Sequence, residues 1–191
     1  MRYSLEHKED TRRRMLAAVG RGFRKAGFAG IGVDGLAKFA DLTSGAFYAN
    51  FRSKSEAFQA ALRAGLADVR TGVESFRAQH GGAWVEAFAD FYFEQFVGCD
   101  LADGCALPGL SSDVARSDAR TRGVFEKEYF AIVDAIAEGL PGKAEARMSR
   151  AIVVTALLAG GVTLARAMKD KAARDRVARA VRDAVVELGR G

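Results

Sequence analysis

Proline is almost missing from this sequence. There are two in 191 residues, Pro108 and Pro141, so more than a hundred N-terminal residues run without one. Proline breaks helix interiors, and its scarcity leaves room for long helices, so the expected fold class is all-α. Cysteine is as scarce. Cys99 and Cys105 are too few to staple a chain of this length, and the five residues between them do not match a zinc knuckle. The two histidines, His7 and His80, stand far from that pair, so neither a metal nor a cofactor is expected. No stretch approaches the ~20 apolar residues that span a bilayer, and no charged leader precedes an apolar run and a cleavage site. The expected setting is the cytoplasm, with no membrane partner. Catalytic constellations are missing too. No Ser-His-Asp set or paired-carboxylate site can be assembled, and Ala159-Gly160-Gly161 sits in a helical pattern instead of following a strand as a phosphate-cradling loop would. The chain is not expected to be an enzyme.

Hydrophobic residues make up 49% of the sequence, ample for a packed core. The net charge of +5 is unevenly distributed. Residues 1–54 carry 11 Lys and Arg against 5 Asp and Glu, whereas residues 55–191 carry 18 against 19. All the excess positive charge lies in the first third. Binding to nucleic-acid phosphates needs such a cluster, because its free energy comes from displaced counterions.

Apolar periodicity places a first, basic helix over about 8–26, with Leu16, Val19 and Phe23 on its inner stripe and Arg12, Arg13, Arg14, Arg21, Arg24 and Lys25 mostly off it. Gly27 is a candidate C-cap. A second short helix follows over about 33–40. Asp41, tolerant of left-handed backbone, Leu42 as an apolar plug and Thr43 as N-cap then open a third helix to about Asn50. Ser53-Lys54-Ser55-Glu56 reads as a capping box for a long fourth helix to about Ala78, with Phe58, Leu62, Leu66 and Val69 inward. His80-Gly81-Gly82 breaks it, and a fifth helix covers about 83–97. The glycine-rich stretch 98–109 is expected as the longest loop. A short helix over 110–115 and long helices over about 118–140, 143–168 and 171–188 complete some nine.

Two short helices meeting at a tight turn suit a helix-turn-helix reader. Such a reader needs a small residue at the crossing, a special-backbone turn, and a second helix whose exposed face enters the major groove. Ala37, Asp41 and the segment from Thr43 to Asn50 supply these in turn. With Phe47 and Phe51 inward, Thr43, Ser44, Gly45, Ala46, Tyr48 and Asn50 face DNA. Small residues at 44–46 allow close approach to base edges, while Tyr48 and Lys54 hold phosphates.

The run Val33-Asp34-Gly35-Leu36-Ala37, followed by Leu42-Thr43-Ser44-Gly45-Ala46-Phe47-Tyr48-Ala49-Asn50-Phe51-Arg52-Ser53-Lys54-Ser55-Glu56, resembles the head of the TetR/AcrR family over about residues 8–60. It departs from the family at Asp41, where glycine is usual, at Ile31-Gly32, where threonines cap the second helix, and at Asn50, where histidine is frequent. The resemblance implies a DNA-binding head over 1–54 and a helical ligand-binding and dimerisation domain over 55–191. It further implies a homodimer through the last two helices, with Ala156, Leu157, Gly160, Gly161, Leu164, Val177, Val181, Val185 and Leu188 suited to close packing. The implied function is a transcription repressor that leaves a palindromic double-stranded DNA operator when a small hydrophobic effector binds.

For that effector, Trp84, Phe88, Phe91, Tyr92 and Phe96 form an aromatic row at helical spacing, with Gln95, Tyr92 and Tyr129 as polar anchors and Cys105 and Phe125 as further ligand-binding candidates. The same row also suits plain core. Gly104-Cys105-Ala106-Leu107-Pro108 resembles a segment of one branch of the family in which a cysteine senses electrophiles or oxidants, so Cys105, resolved by Cys99, is an alternative sensor. Other readings are a ligand-independent architectural DNA binder and a small helical cofactor-binding enzyme.

Overall fold

The computed structural model describes residues 2–191, with side chains from Thr11 onward. The expectation for His7 lies outside the described side chains. Nine α-helices and two 3-10 turns occur among the described residues, with no strand. The helices are α1 (Arg2–Gly30), α2 (Val33–Phe39), α3 (Ser44–Asn50), α4 (Lys54–His80), α5 (Trp84–Val97), α6 (Ala106–Ala115), α7 (Ala119–Gly139), α8 (Ala144–Ala167) and α9 (Lys171–Arg190). The all-α expectation and the approximate helix count hold.

Contacts divide the chain into two units. One comprises residues 1–66 and 100–126, the other residues 67–99 and 127–191. In the first unit Phe23, Phe47, Phe51 and Phe58 are at most 2% exposed, with Val19, Leu36 and Leu62 at 0%. Phe23 and Phe58 meet edge-on at 5.0 Å between ring centroids, and Phe47 lies 5.1 Å from Phe51. Each buried ring contributes roughly 1.5–3 kcal/mol of transfer free energy. On α1 it is Met15 that is buried, at 7% exposure, and Leu16 is only half-buried.

Gly27 interrupts α1 with φ 74° and ψ 165°, a conformation open to glycine and strained for other residues. The break frees the Phe28 N–H, which donates to Asp113 Oδ2 at 2.8 Å. Arg24 Nε donates to the Ala102 carbonyl at 2.8 Å, Arg21 pairs with Asp103, and Lys25 pairs with Asp100. The second half of α1 is thereby tied to the segment 100–113. That segment also corrects an expectation. The stretch 98–109 is not one long loop, because a 3-10 turn occupies Leu101–Asp103 and α6 begins at Ala106. Asp100 caps the turn by accepting from Ala102 N at 2.9 Å, so glycine and cysteine content misled where a capped turn was present.

In the second unit α5, α8 and α9 pack together. Phe88, Ala89, Tyr92 and Phe93 of α5 are buried with Val154, Leu158 and Val162 of α8 and Val185 and Val186 of α9. Arg182 of α9 makes a bidentate pair with Asp90, through Nε at 2.7 Å and Nη2 at 3.0 Å, and also reaches Glu86 at 2.9 Å. These charged bonds hold the Arg182 guanidinium's proton more firmly than usual. Helix α8 is long and apolar enough, by length and composition, to cross a membrane, contrary to the sequence expectation. Its apolar residues split between two faces. Val154, Leu158, Val162 and Ala165 are buried, whereas Ile152, Val153 and Leu164 are 38%, 45% and 57% exposed.

Candidate nucleic-acid interface

The turn between α2 and α3 is built as its residues require. Asp41 takes φ 53°, the left-handed conformation that Asp tolerates better than most residues. Leu42 N donates to the Ala37 carbonyl at 2.9 Å, closing α2 onto the turn, and Ala37 is 2% exposed at the crossing. Gly32 precedes α2 without a side-chain cap, consistent with the missing threonines. Thr43 caps α3, its Oγ1 accepting from Ala46 N at 3.1 Å. At the start of α4, Ser53 Oγ accepts from Glu56 N at 3.1 Å. The Glu56 carboxylate reaches back to Arg52 N at 2.8 Å, one residue before the position a regular capping box would use.

Phe47 faces the core at 0% exposure, while Tyr48 is 57% exposed. Thr43, Gly45, Ala49 and Asn50 are exposed, and Ser44 and Ala46 half-buried. The candidate residues therefore share an outward surface, and their polar groups are already partly committed. Ser44 Oγ donates to Asp34 Oδ1 at 2.6 Å, and Asn50 Nδ2 donates to the Ala46 carbonyl at 2.8 Å. Lys54 is half-buried, its ammonium 4.5 Å above the Phe28 ring, a cation–π contact that holds it at the head of α4. Helix α3 itself contains neither Lys nor Arg. Among the described residues of the head, Arg12, Arg13, Arg14, Arg21, Lys25, Lys38 and Arg52 are exposed, and of these Arg21 and Lys25 pair with Asp103 and Asp100 of the segment 100–113.

A groove of about 820 Å³ also opens on this unit between α1 and the α2–α3 turn. Met15, Ala18, Phe39 and Leu42 form its apolar part, and Arg12 and Asn50 are among its polar residues.

The residues expected to hold an effector fall in both units. In the second unit Trp84, Phe88 and Tyr92 are buried, Phe96 and Tyr129 half-buried, and Phe91 and Gln95 exposed. Trp84 Nε1 donates to the Gly139 carbonyl at 3.0 Å, so its polar edge is engaged within the fold. Phe76 joins the row unannounced, 5.4 Å from Phe88 and 5.1 Å from Phe91, with His80 stacked on it at 5.3 Å. Burial raises the Tyr129 phenol above its usual pKa. Cys105 and half-buried Phe125 belong to the first unit. Cys105 is 4% exposed at the N-cap of α6. Cys99 is half-buried, its Sγ 3.3 Å from Arg166 Nη1, while that guanidinium also bonds the Phe96 and Cys99 carbonyls at 2.7 and 2.8 Å.

Sequence reasoning missed Asp34 beside Ser44, the acidic partners of α1, and the Arg182 cluster. Only the first left a sequence signal, an acidic residue in the opening turn of a helix ahead of the reader.

Solved structures share this arrangement of helices across most of their length. E. coli NemR in its reduced form gives a TM-score of 0.74 at 22% identity, covering 91% of this chain and 96% of that one. A TetR transcriptional regulator from Legionella pneumophila gives 0.74 at 16%, covering 90% and 95%. A TetR-family transcriptional regulator from Cytophaga hutchinsonii gives 0.69 at 21%, covering 93% and 94%. The chain has the TetR-regulator fold. The likeness is one of fold, and no family model and no curated protein matches the sequence. In this TetR fold the last two helices are α8 and α9. The outward side of α8 carries Ile152, Val153, Ala156 and Leu164, and a methyl group placed on Gly160 would meet nothing within 4 Å.

Proposed function

We propose that this chain is a DNA-binding transcription regulator of the TetR family, a homodimeric repressor that reads a palindromic operator with α3. The carrying observation is the outward surface of α3, small and polar at Ser44, Gly45 and Ala46, on a unit whose exposed cations suit phosphate. Ser44, Gly45, Ala46 and Asn50 choose sequence, and Tyr48 and Lys54 position the head on the backbone. Residues 1–54 act as the reading head and 55–191 as the sensing and dimerising part, in the cytoplasm and without catalysis. The apolar, exposed side of α8 supports pairing with a second copy through the last two helices. Exposed apolar surface of this kind is disfavoured on an isolated soluble chain.

The aromatic row on α5 supports a small hydrophobic effector. Binding there would favour a dimer whose two heads are spaced wrongly for DNA, shifting the population towards release. An electrophile sensor at Cys105 has less support, because a thiol 4% exposed meets such a reagent only after local opening.

Selection of bound sequences from random duplex DNA tests the reading. The expected result is a palindrome with half-sites about one helical turn apart, and a Lys54→Ala variant whose salt slope falls by about one. Enrichment of no sequence by the wild-type chain would overturn it.

A further inference from the structure

The hydrogen bond from Ser44 Oγ to Asp34 Oδ1, 2.6 Å long, joins the first turns of α2 and α3 on the surface assigned above to DNA. Asp34 is exposed and Ser44 half-exposed. The bond spends the Ser44 hydroxyl proton within the protein. The hydrogen-bonding capacity left on the pair is acceptor-only, the Asp34 Oδ2 oxygen and the lone pairs of Ser44 Oγ. A carboxylate is acceptor-only, and no Lys or Arg on α3 offsets it. Thr43 Oγ1 is engaged as an acceptor in capping α3, and Asn50 Nδ2 directs a proton back to the helix.

We infer that Asp34 and Ser44 act as one base-reading unit that selects cytosine in each operator half-site. The inference rests on the proposal that α3 lies in the major groove. There, guanine shows two acceptors, O6 and N7, and thymine shows O4 and a methyl group. All of these face an acceptor-only pair unfavourably. Adenine offers the N6 amine but sets the N7 acceptor beside it, and the proton that would satisfy N7 is the one Ser44 has given to Asp34. Cytosine alone offers a donor, N4, with no acceptor on its own base edge, the nearest acceptor being O6 of the paired guanine. Asp34 Oδ2 takes that proton. Asp34 is therefore a specificity-determining residue on α2, outside the recognition helix. Its charge also has a general consequence, because a carboxylate close to phosphates weakens binding to every sequence.

The test compares selections from random duplex DNA by the full-length wild-type chain, Asp34→Asn and Ser44→Ala, with thermal melting as a check of folding. Asparagine keeps Oδ1 to accept from Ser44, so the bridge between the two helices persists. It gains an amide donor and becomes suited to adenine N6 and N7. The expected result is a fixed cytosine in each wild-type half-site, replaced by adenine in the Asp34→Asn selection, with the cytosine preference measured on purified duplexes falling about tenfold or more. Ser44→Ala, which leaves Asp34 unanchored and supplies no donor, weakens the cytosine preference without replacing it by adenine. A purely structural bridge would lower affinity for all sequences alike and leave the base choice unchanged. A wild-type half-site without a fixed cytosine, or an unchanged base choice in Asp34→Asn, overturns the inference while DNA reading by α3 stands. No enrichment by the wild-type chain overturns both.

Discussion

Gly160 and Gly161 are neighbours on α8 with opposite surroundings, so the same substitution at each has opposite expected effects. A Cβ at Gly161 would lie 2.8 Å from Val181 Cγ1 and 2.9 Å from Phe93 Cζ, inside the contact of α8 with α9 and α5. Overpacking of that kind costs about 1–3 kcal/mol, against about 1 kcal/mol gained by replacing a helical glycine with alanine. Gly161→Ala therefore lowers stability by up to about 2 kcal/mol, or roughly 4–8 °C in Tm at this chain length. At Gly160 nothing lies within 4 Å, and the chain itself gains the full propensity term, a rise of roughly 2–4 °C. If a second copy packs on this face, the added methyl is counted twice across a two-fold interface, and the dimer dissociation constant rises at least tenfold. Sedimentation velocity over a concentration series reads the second quantity. Melting below the dissociation constant reads the first, because Tm of a dimer depends on concentration. A Gly160→Ala chain that dimerises as tightly as the wild type would refute the assignment of this face, and a stabilised Gly161→Ala chain would refute the packing argument.

Two further substitutions probe the fold locally. Asp41→Gly relieves a left-handed non-glycine residue at φ 53°, so a thermal melt should show a gain of up to about 1 kcal/mol with operator affinity unchanged; a loss of stability would mean the Asp41 side chain holds the turn. The Asp118 carboxyl is held below its ordinary value of 3.8, chiefly by the Thr121 N–H it accepts at 2.7 Å and then by the Thr121 hydroxyl. Its contribution is complete above the unfolded value and disappears as pH falls through the lower folded value. Asp118→Asn should flatten the acid limb of a stability-against-pH curve, and an unaltered limb would remove Asp118 from the account.

Much of the first unit was legible because local rules decide it. Thr43 caps α3, Asp41 takes the left-handed turn and Phe47 turns inward, each as spacing and side-chain chemistry required. The segment 98–109 was not legible, because its capped turn depends on Asp100 and its position on ion pairs with α1, whose residues lie more than seventy positions earlier. The outward cations were only half legible for the same reason. Arg21 and Lys25 read as exposed charges in the sequence, and their acidic partners become visible only in three dimensions. Helix α8 shows the limit of counting apolar residues, since composition cannot divide a buried face from an exposed one. Asp34 was visible as a residue, but its bond to Ser44 depends on the angle at which α2 meets α3.

Gly45 offers the most direct test of whether α3 reads DNA. It is exposed, and a Cβ there would meet only Thr43 Oγ1 at 3.9 Å, ordinary contact distance, so Gly45→Leu starts its side chain without a clash and adds bulk without charge on the outward face. Measured by fluorescence anisotropy at fixed salt on the selected operator, its dissociation constant is predicted to rise tenfold or more while Tm stays level or increases. An affinity equal to wild type would contradict the placement of α3 against base edges.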